Sequence, residues 1–392
     1  MIIKHLSLTN FRNYASLELE LPPRVVIVRG DNAQGKSNLL EAIYLLSTSR
    51  SPHTTTDREL IHWGEEGQDI WGARLVTEVK RARDEVRLEI ALQQETQLLP
   101  SPRGSGARKR IRINGVARRA SDLVGQVKVV MFSPQDIDVV SGAPNLRRRY
   151  LDITNSQLDR AYLRSLQHLQ KVLLQRNRLL RLIQDGRARP QELHFWDGEM
   201  VEHGCRIMAH RHQLVARLSE MARDIHHGLT QGTENLEIHY LPNLGEAFTP
   251  DRPEAVAGAF HEALEREQRR EIAAGMTLVG PHRDDVRFEV NGADMGRYGS
   301  RGQQRSLVLA LRLAEANLIR DRSGEAPVLL LDDFLSELDR ERRRHLLKAI
   351  ALYEQVIITA TDLEPFEPSF LSPATKLEVS RGVIRELRDS NP

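Results

Sequence analysis

Along residues 1–30 apolar side chains recur at strand spacing. Ile3, Leu6 and Leu8 come first; Leu17 and Leu19 then alternate with Glu18 and Glu20, and Val25 to Val28 form an unbroken β-branched run. Alternation predicts half-buried strands, and the unbroken run a fully buried one. A further strand series is expected from about Ile70 to Leu92. Charged and apolar residues alternate from Lys109 to Ile113 and turn at Asn114-Gly115, a hairpin signal. Val127 to Phe132 reads as another buried strand.

From Asn145 the period changes. Leu158, Tyr162, Leu166, Leu169, Leu173 and Leu180 mark one face of a long helix that stops at Gly186. A second helix is expected over Gln191–His227, forming an αα-hairpin with the first, and a charged helix over Pro253–Ala274. Leu236–Leu241 reads as a short strand between them. After Met276 strands and helices mix again: strand Val286–Val290, helix Gly302–Arg320, buried strand Val328–Leu331, helix Arg340–Tyr353, strand Val356–Thr359 and a terminal hairpin around Gly382. The pattern predicts an α/β nucleotide-binding head built from both ends of the chain. Residues 1–110 and 276–392 would form it, around a mainly helical insertion at 111–275 that begins with a hairpin and the Gln135 loop.

The chemistry starts at the end of the first buried run. Gly30, Asp31, Asn32, Ala33, Gln34, Gly35, Lys36 and Ser37 spell Gly-x-x-x-x-Gly-Lys-Ser, followed by Leu39, Leu40, Ala42, Ile43 and Leu45 at helical spacing. A strand, a Gly-bounded loop and a helix N-terminus together make an anion site of backbone N–H groups. Lys36 then reaches the β/γ-phosphates of a nucleotide and Ser37 can join Mg²⁺. ATP and Mg²⁺ are the expected cofactors.

Val328–Leu331 ends in Asp332-Asp333. A carboxylate at the C-terminal end of a buried strand is where such NTPases hold Mg²⁺, so Asp332 takes the metal and Asp333 is placed to polarise the attacking water. Upstream lies Ser300-Arg301-Gly302-Gln303-Gln304, at the start of a helix. By itself this is a helix N-cap. With Asp332-Asp333 downstream it resembles the signature loop of ABC-type ATPases. Ser336–Asp339 resembles their D-loop, and Gln135 their Q-loop residue, a catalytic candidate beside Asp333.

The chain as a whole resembles the RecF family of bacterial recombination-mediator ATPases, related to SMC proteins. The resemblance rests on Thr9–Tyr14, Gly30–Ser37, Phe132–Asp136, Gly280–Asp285, Tyr298–Gln304 and Leu330–Asp339. It implies an ABC-type, SMC-like P-loop ATPase head whose ATP is buried in a homodimer. Ser300, Gly302 and Gln303 would complete the site of the second subunit. It implies weak ATP hydrolysis acting as a switch on a DNA clamp, at gaps or single-strand/double-strand junctions. Fork repair, the SOS response, and partnership with RecR and the RecA-loading machinery follow from the same resemblance. Two features depart from ABC usage: Asp333 stands where Glu is usual, and Thr361-Asp362 where many carry a switch histidine.

Composition narrows the field. Among 392 residues, 56 basic and 54 acidic side chains nearly cancel, so a nucleic-acid surface must come from local clustering. The candidates are Arg108, Lys109, Arg110 and Arg112, flanked by Arg103, Arg118 and Arg119, with a second group at Arg147–Arg149. His282 with Asp284 and Asp285 reads as structural or as a contact near the nucleotide interface, and His210, His212, His226 and His227 as helical surface residues. The lone Cys205 excludes a disulfide framework and reads as a buried thiol. No apolar run approaches the length of a membrane span, and a cytoplasmic location without membrane partners is expected. An ABC transporter ATPase subunit is the alternative reading. The long helical stretch between Gln135 and Ser300 does not suit it. That insertion is also far too short for a true SMC protein, and intact Lys36, Asp332 and Asp333 argue against a non-hydrolysing scaffold.

Overall fold

Val328–Leu331 is wholly buried and lies between two parallel neighbours, Gln355–Ala360 and Val129–Phe132. In the computed structural model, which describes residues 1–62, 72–94, 107–245, 248–250 and 252–387, these strands form one half of a six-stranded sheet, with Val129–Phe132 at its edge. Its order is Val383–Glu386, Thr375–Ser380, Arg24–Arg29, Gln355–Ala360, Val328–Leu331, Val129–Phe132. All pairs are parallel except the terminal hairpin, so the strands buried on both faces are the unbroken apolar runs. A second, antiparallel sheet of six strands runs Tyr14–Glu20, Ile2–Phe11, Gly72–Lys80, Glu85–Gln94, Ala107–Ile113, Val116–Arg118.

The helix Lys36–Thr48 touches strands of both sheets. It is buried almost all round, as its continuous apolar sequence requires. Its one buried acid, Glu41, is 0% exposed and held by a two-pronged Arg12 contact at 2.8 and 2.9 Å and by the Ser51 hydroxyl. The residue that opens the hairpin turn, Arg12, thereby fixes the helix that follows the phosphate loop.

The chain divides into two compact units, Met1–Asp136 with Arg312–Pro392, and Ile137–Leu311. The boundaries expected at 110/111 and 275/276 therefore move. Ala107–Ile113 pairs with Glu85–Gln94 and Val129–Phe132 pairs with Val328–Leu331, which keeps both in the first unit. Asp285–Val290 pairs with Leu236–Leu241, which draws the residues after 275 into the second.

The second unit holds the helices Pro144–Leu158, Arg160–Gln184, Leu193–Leu229 and Pro253–Ala274 and a three-stranded sheet. The single long helix expected from Leu158 is two helices. Asp159 interrupts it, its carboxylate accepting the N–H groups of Ala161 and Tyr162 as an N-cap. The core of this unit gathers Tyr162, Leu169, Met200, Ile207 and Phe260. Arg176 lies buried in it, paired with Asp197 and Glu271. Cys205 is partly buried against the same core, and burial pushes its thiol up to about 11. His226 is 0% exposed, not a surface residue, because its helix face is covered by the strand Leu236–Leu241 and it meets Glu234.

Candidate nucleotide site

The parallel strands deliver their C-terminal ends to one edge of the sheet, the usual position of a ligand site in such folds. Arg24–Arg29 feeds directly into the loop Gly30–Gly35. A side chain at Gly30 would meet the Val379 carbonyl at 2.4 Å, and Gly35 has φ 118° with the Asn13 amide at 2.6 Å from any added Cβ. Both glycines are thus required by close approach of neighbouring atoms. Lys36 is 4% exposed; its ammonium donates to the carbonyls of Gly30 and Asp31 at 2.7 and 3.1 Å and lies 3.7 Å from Asp333.

Ser37 Oγ donates to Asp332 Oδ1 at 2.8 Å, and Thr359 Oγ1 donates to the same oxygen at 3.0 Å. Burial pushes the Asp332 carboxyl up, while these two hydrogen bonds draw it back. A buried carboxylate beside a serine hydroxyl is an all-oxygen donor set, which suits Mg²⁺; phosphates and water would supply the remaining ligands. Asp333 turns sharply, with φ 45°, a conformation that non-glycine residues adopt at a cost. Its N–H donates to Thr359 Oγ1 at 2.9 Å. Asp339, in the D-loop-like segment, caps the helix Arg340–Ile350 through the Arg342 N–H at 2.9 Å.

Gln135 follows Val129–Phe132, whose end is bonded to Asp332 N–H through the Phe132 carbonyl at 2.8 Å. Gln135 is exposed and accepts the Ser133 hydroxyl at 2.9 Å. In the second unit, Ser300 and Gln303 form a reciprocal capping box at the start of the helix Arg301–Ser323: Gln303 N–H donates to Ser300 Oγ at 3.3 Å and Ser300 N–H to Gln303 Oε1 at 3.1 Å. Ser300 is exposed. A Cβ at Gly302 would have no neighbour nearer than Ser300 Oγ at 4.0 Å, so nothing in its own chain demands glycine there.

The basic residues divide. On the strand Ala107–Ile113, Arg108, Arg110 and Arg112 share the exposed face. Arg74 and Arg87 join them there, with Glu78 and Glu89 interspersed. Lys109 points the other way, its ammonium held by Asp57 at 2.8 Å and the Ser49 carbonyl at 3.0 Å. Arg103 lies outside the described residues, as does the whole of the 100–106 loop. Arg147 is engaged by Asp285 and Arg148 by the Asp284 carbonyl, so these two are internal ties, not a free basic surface.

The Gly280–Asp285 segment is tied into its own unit by internal hydrogen bonds. Asp284 is 1% exposed and accepts from Arg211, Tyr240 and the Asn243 N–H, while His282 rests on the Thr277 carbonyl at 3.1 Å. Among the described residues, His168 with Glu199 and His203, and Glu237 with His239 and Glu289, are the groupings of metal-ligating types. His210, His212, His226, His227 and His282 belong to neither.

Three supports escaped the motif reading. Asn13 Nδ2 donates to the Gln34 carbonyl at 2.8 Å while Asn13 Oδ1 accepts from Asn38 Nδ2 at 2.8 Å, and Tyr14 donates to the Gly35 carbonyl at 2.9 Å. From the other side, the terminal hairpin grips Gln34 through the N–H groups of Arg381 and Gly382. Asp136, next to Gln135, takes both prongs of Arg312 at 2.6 and 3.0 Å. The polar cluster Asn10–Tyr14 at a hairpin turn was the available signal for the first.

A parallel sheet with a phosphate loop, a serine–aspartate pair at the adjacent strand ends and a capped Ser-x-Gly-Gln helix start defines a P-loop ATPase head of the ABC and SMC type. The family model for the RecF/RecN/SMC N-terminal domain matches residues 2–373. Proteins described as "DNA replication and repair protein RecF" match nearly the full length of both chains. That of Chloroflexus aurantiacus is 45% identical, covering 98% of this chain and 99% of its own, and that of Bacillus mycoides is 38% identical, covering 98% of each. The chain belongs to the RecF/RecN/SMC N-terminal domain family, and within it to the RecF proteins. A solved structure described as the recombination mediator protein RecF with ATP, in the RecFOR pathway, has a TM-score of 0.87 at 31% identity, covering 98% of this chain and 97% of that one. An SMC head bound to part of ScpA shares the fold, with a TM-score of 0.55 at 13% identity.

Proposed function

We propose that this chain is an ATP-gated, DNA-binding recombination mediator. Its nucleotide site is completed by Ser300, Gly302 and Gln303 of a second copy, and slow hydrolysis releases the DNA. The observation that carries the reading is the Ser37–Asp332 contact at 2.8 Å beside the buried Lys36 ammonium. Lys36 and the loop N–H groups bind the phosphates, and Ser37 with Asp332 holds Mg²⁺, which when bound neutralises phosphate charge. Asp333 accepts a proton at its carboxylate from the attacking water, with Gln135 orienting that water. The exposed Ser300 hydroxyl and the open surface over Gly302 would let a phosphate bound by the partner approach the helix N-terminus. Association is then coupled to nucleotide by mass action.

The exposed arginine face carrying Arg108, Arg110 and Arg112 supports phosphate-backbone contact with DNA. The relatives' described role in replication and repair supports gapped or junction DNA as the substrate. It also supports work at stalled forks and in the SOS response, with RecR and the RecA-loading machinery as partners. Among the described residues no helix is long and apolar enough to cross a membrane. The comparisons give no support to a transporter subunit.

Sedimentation with and without ATP on gapped DNA tests the reading. Wild type should double in mass with ATP. Lys36→Ala should stay monomeric, because lost charge-assisted hydrogen bonds are worth about 1.5–3 kcal/mol each. A Lys36→Ala dimer formed as readily as wild type would contradict the assignment.

A further inference from the structure

Gln303 is held from two sides. Its Oε1 accepts the Ser300 N–H, and its Nε2 donates to Glu234 Oε1 at 2.9 Å across 69 residues of sequence. The second carboxylate oxygen of Glu234 meets His226 Nε2, also at 2.9 Å, and that imidazole is 0% exposed. The loop carrying Glu234 is anchored in turn. Asn291 exchanges N–H, carbonyl and side-chain hydrogen bonds with Asn235 and donates to the Thr233 carbonyl.

An ionised carboxylate only accepts hydrogen bonds, whereas the Gln303 amide has one accepting and one donating end. Glu234 therefore admits only the NH₂ end, which turns the carbonyl end onto the Ser300 N–H. Ser300 Oγ already accepts from the Gln303 N–H, so its own hydrogen remains available as a donor.

We propose that Glu234, backed by the buried His226, is a positioning residue for the signature serine. Through Gln303 it fixes the start of the helix Arg301–Ser323 so that the Ser300 hydroxyl presents its hydrogen to a nucleotide phosphate bound by a second copy of the chain. This rests on the role proposed above for Ser300.

The test is the ATP-dependent dimerisation constant of the full chain, measured by sedimentation equilibrium. A twofold dimer contains the feature twice, so a loss of about fivefold per site, the net scale of one ordinary hydrogen bond, becomes about twenty-five-fold for Glu234→Ala. Glu234→Gln keeps an acceptor for Gln303 and should recover most of the loss. Gln303→Leu removes the intermediary without touching Glu234 and should lose at least as much as Glu234→Ala. The double variant should be no worse than Gln303→Leu. Wild-type dimerisation in Glu234→Ala or in Gln303→Leu, with Ser300→Arg blocked, overturns the inference alone, as do losses that multiply in the double variant. Wild-type dimerisation in Ser300→Arg overturns the underlying reading of Ser300 as well.

Discussion

Ser37 and Asp332 are 295 residues apart in sequence, yet the serine hydroxyl donates to the aspartate carboxylate at 2.8 Å. One residue lies in the first turn of the helix after the phosphate loop and the other directly follows a buried strand. The parallel order Arg24–Arg29, Gln355–Ala360, Val328–Leu331 brings both to one sheet edge. The separation also explains why the head needs both ends of the chain.

The same contact sets a conflict between stability and function. Burial raises the Asp332 carboxyl, so the folded protein binds its proton more tightly than the unfolded chain. Stability from this group therefore falls as pH rises through the interval above the ordinary carboxylate value. Asp332→Asn keeps an acceptor for Ser37 and Thr359 without the buried charge. It should raise the thermal midpoint at neutral pH by about 1–2 °C without Mg²⁺, and the gain should vanish in acid. Mg²⁺-dependent hydrolysis should be lost. Thermal melts with ATPase assays on the same samples check both halves.

Asp333→Asn separates binding from chemistry. Lys36 and Asp332 remain, so ATP should still bind and the dimer should persist longer. Hydrolysis should drop by about a hundredfold, the scale of losing a general base. A wild-type single-turnover rate would move the base elsewhere, with Gln135 next in line.

Arg12→Ala leaves Glu41 charged and fully buried beside the Ser51 hydroxyl. Breaking a buried pair from one side costs about 3–5 kcal/mol. Denaturant unfolding should show that loss, and Arg12→Ala/Glu41→Gln should restore much of it.

His282 gives a pH signature of the second unit. Burial, the largest cause, pushes its imidazole down from 6.5 to about 4, against a hydrogen bond to the Thr277 carbonyl. The unfolded chain binds this proton first, so the contribution is full above pH 6.5 and is lost as pH falls toward about 4. The thermal midpoint of His282→Asn should decline less steeply than that of wild type across this window.

Local signals carried much of the site. The phosphate loop, the run Val328–Leu331 with its aspartates, and the Ser300 cap each occupy a few consecutive residues, and each forms as its sequence predicts. What was hidden depends on distant partners. Asn13 on Gln34, Asp136 on Arg312, and Glu234 on both His226 and Gln303 join residues that no window spans. The domain boundaries failed for the same reason, since strand pairing and not chain position assigns residues 111–136 and 276–311. Lys109 is different: it shares parity with the inward Ile111, so alternation alone could have removed it from the exposed basic face.

The central claim is that one copy's phosphate loop works with the other copy's Ser300. It is tested most directly by mixing Lys36→Ala with Ser300→Arg subunits and measuring ATP hydrolysis on gapped DNA. Each variant alone should be inactive. In the mixed dimer, the intact loop of the Ser300→Arg chain faces the intact serine of the Lys36→Ala chain, while the other site carries both lesions. Activity approaching half that of wild type per mixed dimer is the predicted result. Mixed dimers, confirmed by their mass, that are no more active than the two components measured apart would contradict the shared site.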